Sequence, residues 1–505
     1  MPLPATIGGR AIELVQREAY ATAIPQLRRA LAAGDLDPTI RFALAGALFK
    51  LGYIEAALGH LRQAARSTDS AVRRDALKKI AIAIPGDPRA DNEQILKARR
   101  KWIRLESENE SPRFPVKSLV RAPDRRLRVG YVCAFFGYRN WMKPVWGVLN
   151  AHDRSAFEIH LFLDGGLPRP ENGYTPNEAD RIHSLDSLSN EDSAKCICAA
   201  EIDILVDLNA YSFPNRIGLF LRKPAPIQVG WFNTYATSGT DAFDYAIADR
   251  VVLPSREARF YTERILRVNG SYLAFSASYR VPDVAPPPCM VSRRITFGCL
   301  APNYKLTREV VAAFASILRA VPSARLVLKN RCLAESGNLA AVRARFRREA
   351  IADDQLICEG PAEHFEFLKT YGQIDVALDT FPYSGGTTTM EALWQGVPVL
   401  TFLGDRWVSR TSSSLLRAAG LNQWVRPSRD SFVRYAIALA KSPDTIANLS
   451  ALRSTLREKL RATAACDVAG LCGQLESHYQ AIAGNVQVSR ERQPSESSAP
   501  ASSFD

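Results

Sequence analysis

No apolar run in this chain is long enough to span a bilayer, and Met1 to Arg10 carries no apolar core of a secretion signal. A membrane-spanning protein is therefore not expected. The nine cysteines are odd in number and scattered. Cys196-Ile-Cys198 has no second pair near it, so reduced thiols in a cytoplasm are expected rather than disulfides or a metal site. A metal-binding Asp-x-Asp is just as scarce: Asp35-Leu-Asp37 is the only one, and it lies in a helical region. Despite a net charge of +13, no nucleic-acid motif or basic groove spaced by aromatics is present. The excess gathers at Lys97, Arg99, Arg100, Lys101 and Arg104, then at Arg121, Arg125, Arg126 and Arg128. That pattern predicts a solvated face or an acidic protein partner, not nucleic acid.

What is present belongs to a globular protein of more than one domain, with 505 residues, 47% of them hydrophobic and 23% charged. The N-terminal part is helical by pattern. Tyr20-Ala-Thr-Ala-Ile-Pro-Gln-Leu-Arg-Arg-Ala-Leu31 recurs as Tyr53-Ile-Glu-Ala-Ala-Leu-Gly-His-Leu-Arg-Gln-Ala-Ala65, an offset of about 33 residues, close to the tetratricopeptide period of roughly 34. Fewer than three repeats rarely stand alone, so this pair is expected to pack on further helices over 72–84 and 91–105. Residues 1–110 thus read as a small all-α, tetratricopeptide-like domain, either a plain cap or a dock for a partner protein. Prolines among charges mark 111–126 as a linker. A βα series over 127–285 follows, with strands at 127–133, 158–163, 204–208 and 227–231. Pro282 to Pro288 separates it from a second series over 290–485, with strands at 295–300, 325–329, 356–358 and 376–378. Alternation of this kind predicts an α/β protein with two doubly wound parallel sheets. The Ser/Pro-rich run over 486–505 predicts a disordered tail.

One stretch carries the chemistry: Asp375-Val-Ala-Leu-Asp-Thr-Phe-Pro-Tyr-Ser-Gly-Gly-Thr-Thr-Thr-Met-Glu-Ala-Leu-Trp-Gln-Gly-Val-Pro-Val-Leu400. It reads as a buried strand, a Pro/Gly turn, a helix opening at Thr387 to Thr389 and ending at Gly396, then another strand. The free N–H groups at such a helix start make a site for phosphate. Gly385 and Gly386 allow close approach of an anion, and Thr387 and Thr388 add hydroxyl donors. One turn further, Glu391 is placed to accept hydrogen bonds from a ribose. An N-capped helix after a turn is the plainer reading of the same residues.

This stretch, continued through Gly404-Asp-Arg-Trp-Val-Ser-Arg410 and Ser414-Leu-Leu-Arg-Ala-Ala-Gly-Leu421, resembles the C-terminal lobe of the O-GlcNAc transferase/SPINDLY family. Two further segments share the resemblance. Arg222-Lys-Pro-Ala-Pro-Ile-Gln-Val-Gly-Trp231 is similar to the family's Arg-Arg-Pro-Ala-Pro-Ile-Gln-Val-x-Trp. Phe297-Gly-Cys-Leu-Ala-Pro-Asn-Tyr-Lys-Leu-Thr307 is similar to its Phe-Gly-Ser-Phe-Asn-x-x-x-Lys-Ile-Thr. The likeness spans roughly residues 120–425 and implies the GT-B architecture, two Rossmann-like lobes across a cleft. It also implies an inverting protein O-glycosyltransferase that moves GlcNAc, fucose or a related sugar from a UDP- or GDP-sugar to Ser/Thr hydroxyls. Lys305 would then be catalytic, stabilising charge on the departing diphosphate, with Asn303, Gly385, Gly386, Thr387, Thr388 and Glu391 binding the nucleotide sugar. Tyr211 and the loop from Asn233 to Gly239, with Tyr235 and Thr237, would border the sugar or acceptor. No cofactor or metal is expected, since Lys305 and helix dipoles can take the cation's place. The acceptor protein would be docked by the N-terminal repeats.

The chain also departs from the family. In an ungapped reading of the pattern Asp-Phe-x-x-His-Pro, Phe135 stands at the Asp and Arg139 at the His. Gly386-Thr387-Thr388 replaces the His-Thr-Thr of the O-GlcNAc branch, and Pro302 replaces an amide three residues before Lys305, with Asn303 next to it. His364 is an isolated candidate base. Two alternatives therefore stand beside the main reading: a GT-B enzyme acting on small-molecule sugars, and an inactive scaffold of the same fold.

Overall fold

A computed structural model describes residues 7–108, 113–114, 125–138, 142–212 and 215–491, with side chains to 484. Most of the expected linker, 111–126, and Arg139 of the first-strand loop lie outside them.

Six helices open the chain: Ile7–Gln16, Tyr20–Ala32, Pro38–Lys50, Ile54–Ala64, Ser70–Ala83 and Asn92–Ser107. The two repeat segments are the second and fourth of these. Asp35-Leu-Asp37 proves to be turn and cap chemistry: Asp35 accepts from the Asp37 N–H at 3.1 Å, and Asp37 caps the third helix through the Thr39 N–H at 2.8 Å. The array does not stand alone. Leu58, Leu61, Leu77 and Trp102 are buried in one cluster with Tyr211, Phe220 and Phe243 of the first lobe.

That lobe is a seven-stranded parallel sheet: β1 (Leu127–Cys133), β2 (Phe157–Leu163), β3 (Arg181–Ser184), β4 (Ile204–Asp207), β5 (Ile227–Gly230), β6 (Tyr245–Asp249) and β7 (Arg264–Val268). Its order is β3-β2-β1-β4-β5-β6-β7. The second lobe has six parallel strands: β8 (Thr296–Cys299), β9 (Arg325–Lys329), β10 (Leu356–Glu359), β11 (Val376–Leu378), β12 (Val399–Phe402) and β13 (Val425–Arg426), ordered β10-β9-β8-β11-β12-β13. Near-continuous burial along inner strands such as β1, β6 and β9 is what a sheet covered by helices on both faces requires. In each sheet the order reverses between its first and fourth strands, β1/β4 and β8/β11, and crevices for ligands open at the carboxyl ends there. This is the two-lobed GT-B arrangement behind a helical N-terminal domain.

The last helix, Val468–Glu491, differs from expectation in two ways. Assigned with the second lobe by sequence order, it buries Leu471, Cys472, Leu475 and Tyr479 in the core of the first. The physical reason is its apolar stripe, which finds the face beside β1: His152 bonds Glu476 at 2.9 Å and Tyr131 at 2.7 Å. The helix also runs past 485 to Glu491, there being no proline before Pro494; the rest of the expected tail, 492–505, lies outside the described residues. Among the described residues no helix is long and apolar enough to cross a membrane.

Candidate functional site

The turn after β11 is built before any ligand arrives. Asp379 accepts from the Gly385 N–H at 2.7 Å and the Thr380 N–H at 2.9 Å, and its other oxygen takes the Thr401 hydroxyl at 2.7 Å. A Cβ on Gly385 would collide with the Thr389 hydroxyl oxygen, so only glycine fits the turn. Gly386 is the N-cap of the helix Thr387–Trp394, and no side chain caps it. Its first N–H groups and the half-buried Thr387 and Thr388 open onto a cavity of about 330 Å³. At the far end Gly396 turns the chain at φ +77°, where a Cβ would press on Val284 at 2.7 Å.

Lys305 enters from the end of β8, the neighbouring strand. It is buried, donates to the Ser384 carbonyl at 2.8 Å and lies 4.1 Å over the Tyr383 ring. Burial pushes its ammonium down to about 8, against the pull of Asp379. The ammonium therefore sits beside the uncapped helix start, where negative charge is favoured twice over.

Glu391, one turn into the helix, is buried and meets two other groups at Oε1. Lys143 of the first lobe forms an ion pair with it, and His364 Nε2 lies 3.0 Å away. Burial pushes the Glu391 carboxyl up, but Lys143 and His364 outweigh burial and hold it below its ordinary value. His364 is thus no isolated residue: Lys143 Nζ is also 2.6 Å from its Nε2.

The first lobe lines the opposite wall with Phe232, Asn233 and Tyr235, from the loop after β5. Phe232 is held at φ +58°, an uncommon conformation for a bulky residue. Asn233 donates to the Leu208 carbonyl at 2.7 Å and accepts from the Tyr235 hydroxyl at 3.0 Å. Tyr235, Tyr383 and Tyr304 meet edge to face, with centroids 5.4 and 6.0 Å apart, and Tyr304 stacks on Phe49 of the helical array at 5.2 Å.

Of the residues singled out from sequence, Lys305, Gly385, Gly386, Thr387, Thr388, Glu391, Asn233 and Tyr235 line this one cavity. Three others do not. Asn303 occupies a 3-10 turn with three residues per turn, so Pro302 and Lys305 share the cavity side while Asn303 donates to the Lys50 carbonyl at 3.2 Å. Tyr211 donates to the Ser238 carbonyl at 2.6 Å, and the Arg99 guanidinium of the helical array covers its ring at 3.8 Å. Thr237 ties its loop to the residue just before β7, donating to Glu263 at 2.8 Å and accepting from the Gly239 N–H at 3.1 Å. The sequence reading missed Lys143, Tyr304, Tyr383, Phe232 and Phe367. Tyr304, Tyr383 and Phe232 stand beside residues already chosen, whereas Lys143 and Phe367 lie well past the strands that precede them and carry no such local signal.

The lobes are joined around the cavity by Arg410, whose two Nη atoms each reach a Glu257 oxygen at 2.8 Å. The one group of His, Cys and Glu side chains with metal-ligand spacing among the described residues, His152, Cys472 and Glu476, lies at the last helix and not in this cavity.

Known proteins resemble this arrangement over most of its length. A SPINDLY protein of Petunia hybrida, described as a probable UDP-N-acetylglucosamine–peptide N-acetylglucosaminyltransferase, is 29% identical over 383 residues, covering 71% of this chain and 39% of its own. The Arabidopsis thaliana SEC protein, described in the same terms, is 29% identical over 347 residues, covering 66% of this chain and 34% of its own. The chain therefore spans roughly two fifths of the length of such curated relatives. A solved structure of a mutant O-GlcNAc transferase from Thermobaculum terrenum superposes with a TM-score of 0.83 at 28% identity, over 96% of this chain and 91% of that one. Residues 107–284 and 288–471, which hold every cavity-lining residue named above, match the profile of one family, and this chain belongs to it: glycosyl transferase family 41.

Proposed function

We propose that this protein is a glycosyltransferase that moves a sugar, GlcNAc, fucose or a relative, from a UDP- or GDP-linked donor to Ser or Thr hydroxyls of a protein, with inversion. The observation that carries this reading is the Lys305 ammonium beside an uncapped helix start in one shared cavity. In this reading the diphosphate lies on the N–H groups and hydroxyls of Thr387 and Thr388, and the ribose reaches Glu391. As the hydroxyl oxygen of the acceptor bonds to the anomeric carbon from one face and its proton passes to the departing diphosphate or to water, the carbon–oxygen bond to the diphosphate breaks on the other. Negative charge then grows on the leaving oxygen, beside Lys305, and in a buried site this fixed cation is worth far more than in water. The same cation makes a divalent metal unnecessary, so chelation is expected to leave the rate unchanged.

Asn233 and Tyr235 would meet the sugar from the first lobe. His364, whose Nε2 lies against both Glu391 and Lys143, serves the donor side rather than as general base. The helical array, fused to both lobes, would present the acceptor protein, and nine free cysteines suit a reducing compartment such as the cytoplasm. The test is a panel of UDP- and GDP-sugars assayed for hydrolysis and for transfer to protein. Transfer from one donor to Ser/Thr, lost in Lys305→Met, is expected. Transfer only to small sugars would replace the protein acceptor, and no turnover of any donor would leave the scaffold reading.

A further inference from the structure

A buried lysine, glutamate and histidine converge at one point, and they come from different lobes. Lys143 is the first residue of the helix Lys143–Ala151, which follows β1; its side chain is 1% exposed. Glu391 and His364 belong to the second lobe. Tyr279 closes the group, with its ring 4.7 Å from Lys143 Nζ and edge-on to His364 at 5.1 Å. Lys143 and His364 both approach Glu391 at Oε1; no hydrogen-bond partner is recorded for Oε2 among the described residues.

A buried ion pair is weak evidence for stability, because desolvating two charges offsets most of their attraction. What such a pair does supply is orientation. Its hydrogen bonds also constrain one another: if His364 Nε2 accepts from Lys143, it has no proton to give Glu391, so the ammonium alone fixes the carboxylate. The carboxylate is then ionised and pinned at one oxygen, with the other oxygen unclaimed at the cavity wall.

We propose that Lys143 is a positioning residue for the donor's ribose: it reaches across the cleft and holds Glu391 through Oε1, so that Oε2 accepts a ribose hydroxyl only when the lobes are closed. This inference rests on the donor-site reading above. It assigns to the first lobe a part in recognising the nucleoside, which the second lobe otherwise binds alone.

The experiment is equilibrium binding of UDP and GDP and of their 2′-deoxy and 3′-deoxy forms. Wild type is expected to prefer the ribonucleotide over at least one deoxy form by about tenfold, the size of one hydrogen bond to a charged acceptor. Lys143→Met should bring that ratio to within about twofold, and Lys143→Arg should keep part of it. A full ratio in folded Lys143→Met overturns the proposal, and so does a wild type indifferent to the hydroxyls. Binding of none of these nucleotides by wild type removes the donor-site reading itself, and this inference with it. Lys143→Met leaves a buried carboxylate without its cation and is at risk of misfolding. The double variant Lys143→Met/Glu391→Gln removes both charges, while Glu391→Gln alone leaves the ammonium to the amide oxygen and His364, so folding of each is checked by thermal melt. Equal ratios and affinities in these two support action through Glu391 alone. A further loss for ribo and deoxy forms alike in the double variant overturns it, because Lys143 would then touch the nucleotide directly.

Discussion

The two walls of the cavity are made differently. The second-lobe wall is where the anion-binding groups gather: N–H groups at a helix start, two threonine hydroxyls and Lys305, carried by the segments after neighbouring strands β8 and β11, with the rings of Tyr304, Phe367 and Tyr383 around them. The first-lobe wall carries no charge and is loop-borne: Phe232, Asn233 and Tyr235, with Tyr235 bonded to Asn233, Asn233 to the distant Leu208 carbonyl, and the Tyr235 ring against Tyr383. Binding an anion is a local property that some ten residues encode. Shaping a surface for a sugar and a protein chain is tertiary, and here it leans on the helical array through Arg99, which donates to the Thr237 carbonyl and covers Tyr211.

The largest effect follows from that dependence. A chain beginning at Asp124 loses Leu58, Leu61, Leu77 and Trp102 from the cluster that covers Phe220 and Phe243. Each such buried side chain is worth roughly 1.5–3 kcal/mol, so the sum is comparable to the whole net stability of a typical domain. Such a chain should fail to fold, seen as lost cooperativity in thermal circular dichroism. A folded truncation that still binds nucleotide would show the first-lobe wall to be independent of the array.

Next comes Lys305. Lys305→Met should lower turnover on the order of 10²–10³-fold with a much smaller change in product affinity. The same change should raise the melting temperature of the donor-free protein. Lys305 titrates at about 8 when folded, against 10.5 for the free side chain, so burial costs stability while the group stays charged. In the window between these values the unfolded state binds more protons, so stability rises with pH there. The penalty is full below about 8 and gone above 10.5. Thermal melts of wild type and Lys305→Met at pH 7 and pH 10 should converge as pH increases. A constant gap would place the lysine in a solvated setting.

Much of this was legible in the sequence, and the limits have physical causes. Strands dominated by apolar residues, such as Leu127–Cys133, announced themselves, as did the turn at Gly385-Gly386. Strands such as Arg181–Ser184 and Val425–Arg426 did not: one is an exposed edge and the other is two residues long. At the site, residues on one helix start were found together because their relation is local. Tyr211 and Thr237 were misplaced because nothing in the loop shows that the helical array covers it. Lys143 was hidden by register. An ungapped reading puts the family's His-Pro at Arg139-Asn140, whereas the helix-opening pair is Lys143-Pro144, four residues later.

A smaller effect separates the two glycines of the turn. Gly385→Ala should cost about 1–3 kcal/mol of stability and also weaken nucleotide binding, since its Cβ has no space beside Thr389. Gly386→Val should leave the fold intact and remove only the nucleotide-induced rise in melting temperature. Its nearest neighbour for a Cβ is the Thr411 methyl at 3.6 Å, an ordinary contact, and the backbone there has φ −132°. A normal nucleotide shift in Gly386→Val would mean the anion does not approach that backbone.

The smallest effect is the most discriminating for the first-lobe wall. Tyr211→Phe removes only the hydroxyl that donates to the Ser238 carbonyl at 2.6 Å, leaving a ring that still lies under Arg99 and against Trp102. The expected cost is about 1 kcal/mol of stability, with kcat and KM for acceptor and donor unchanged. Tyr235→Phe is the counterpart inside the cavity. It breaks the bond to Asn233, whose other end holds the Leu208 carbonyl, and frees the amide to turn away from the sugar side. There the expected change is a several-fold rise in KM with little loss of stability. The pair is to be compared in one transfer assay and one thermal melt. If Tyr211→Phe alters kinetics as much as Tyr235→Phe does, the Ser238 loop reaches the substrates and the wall extends further toward the helical array than the cavity suggests.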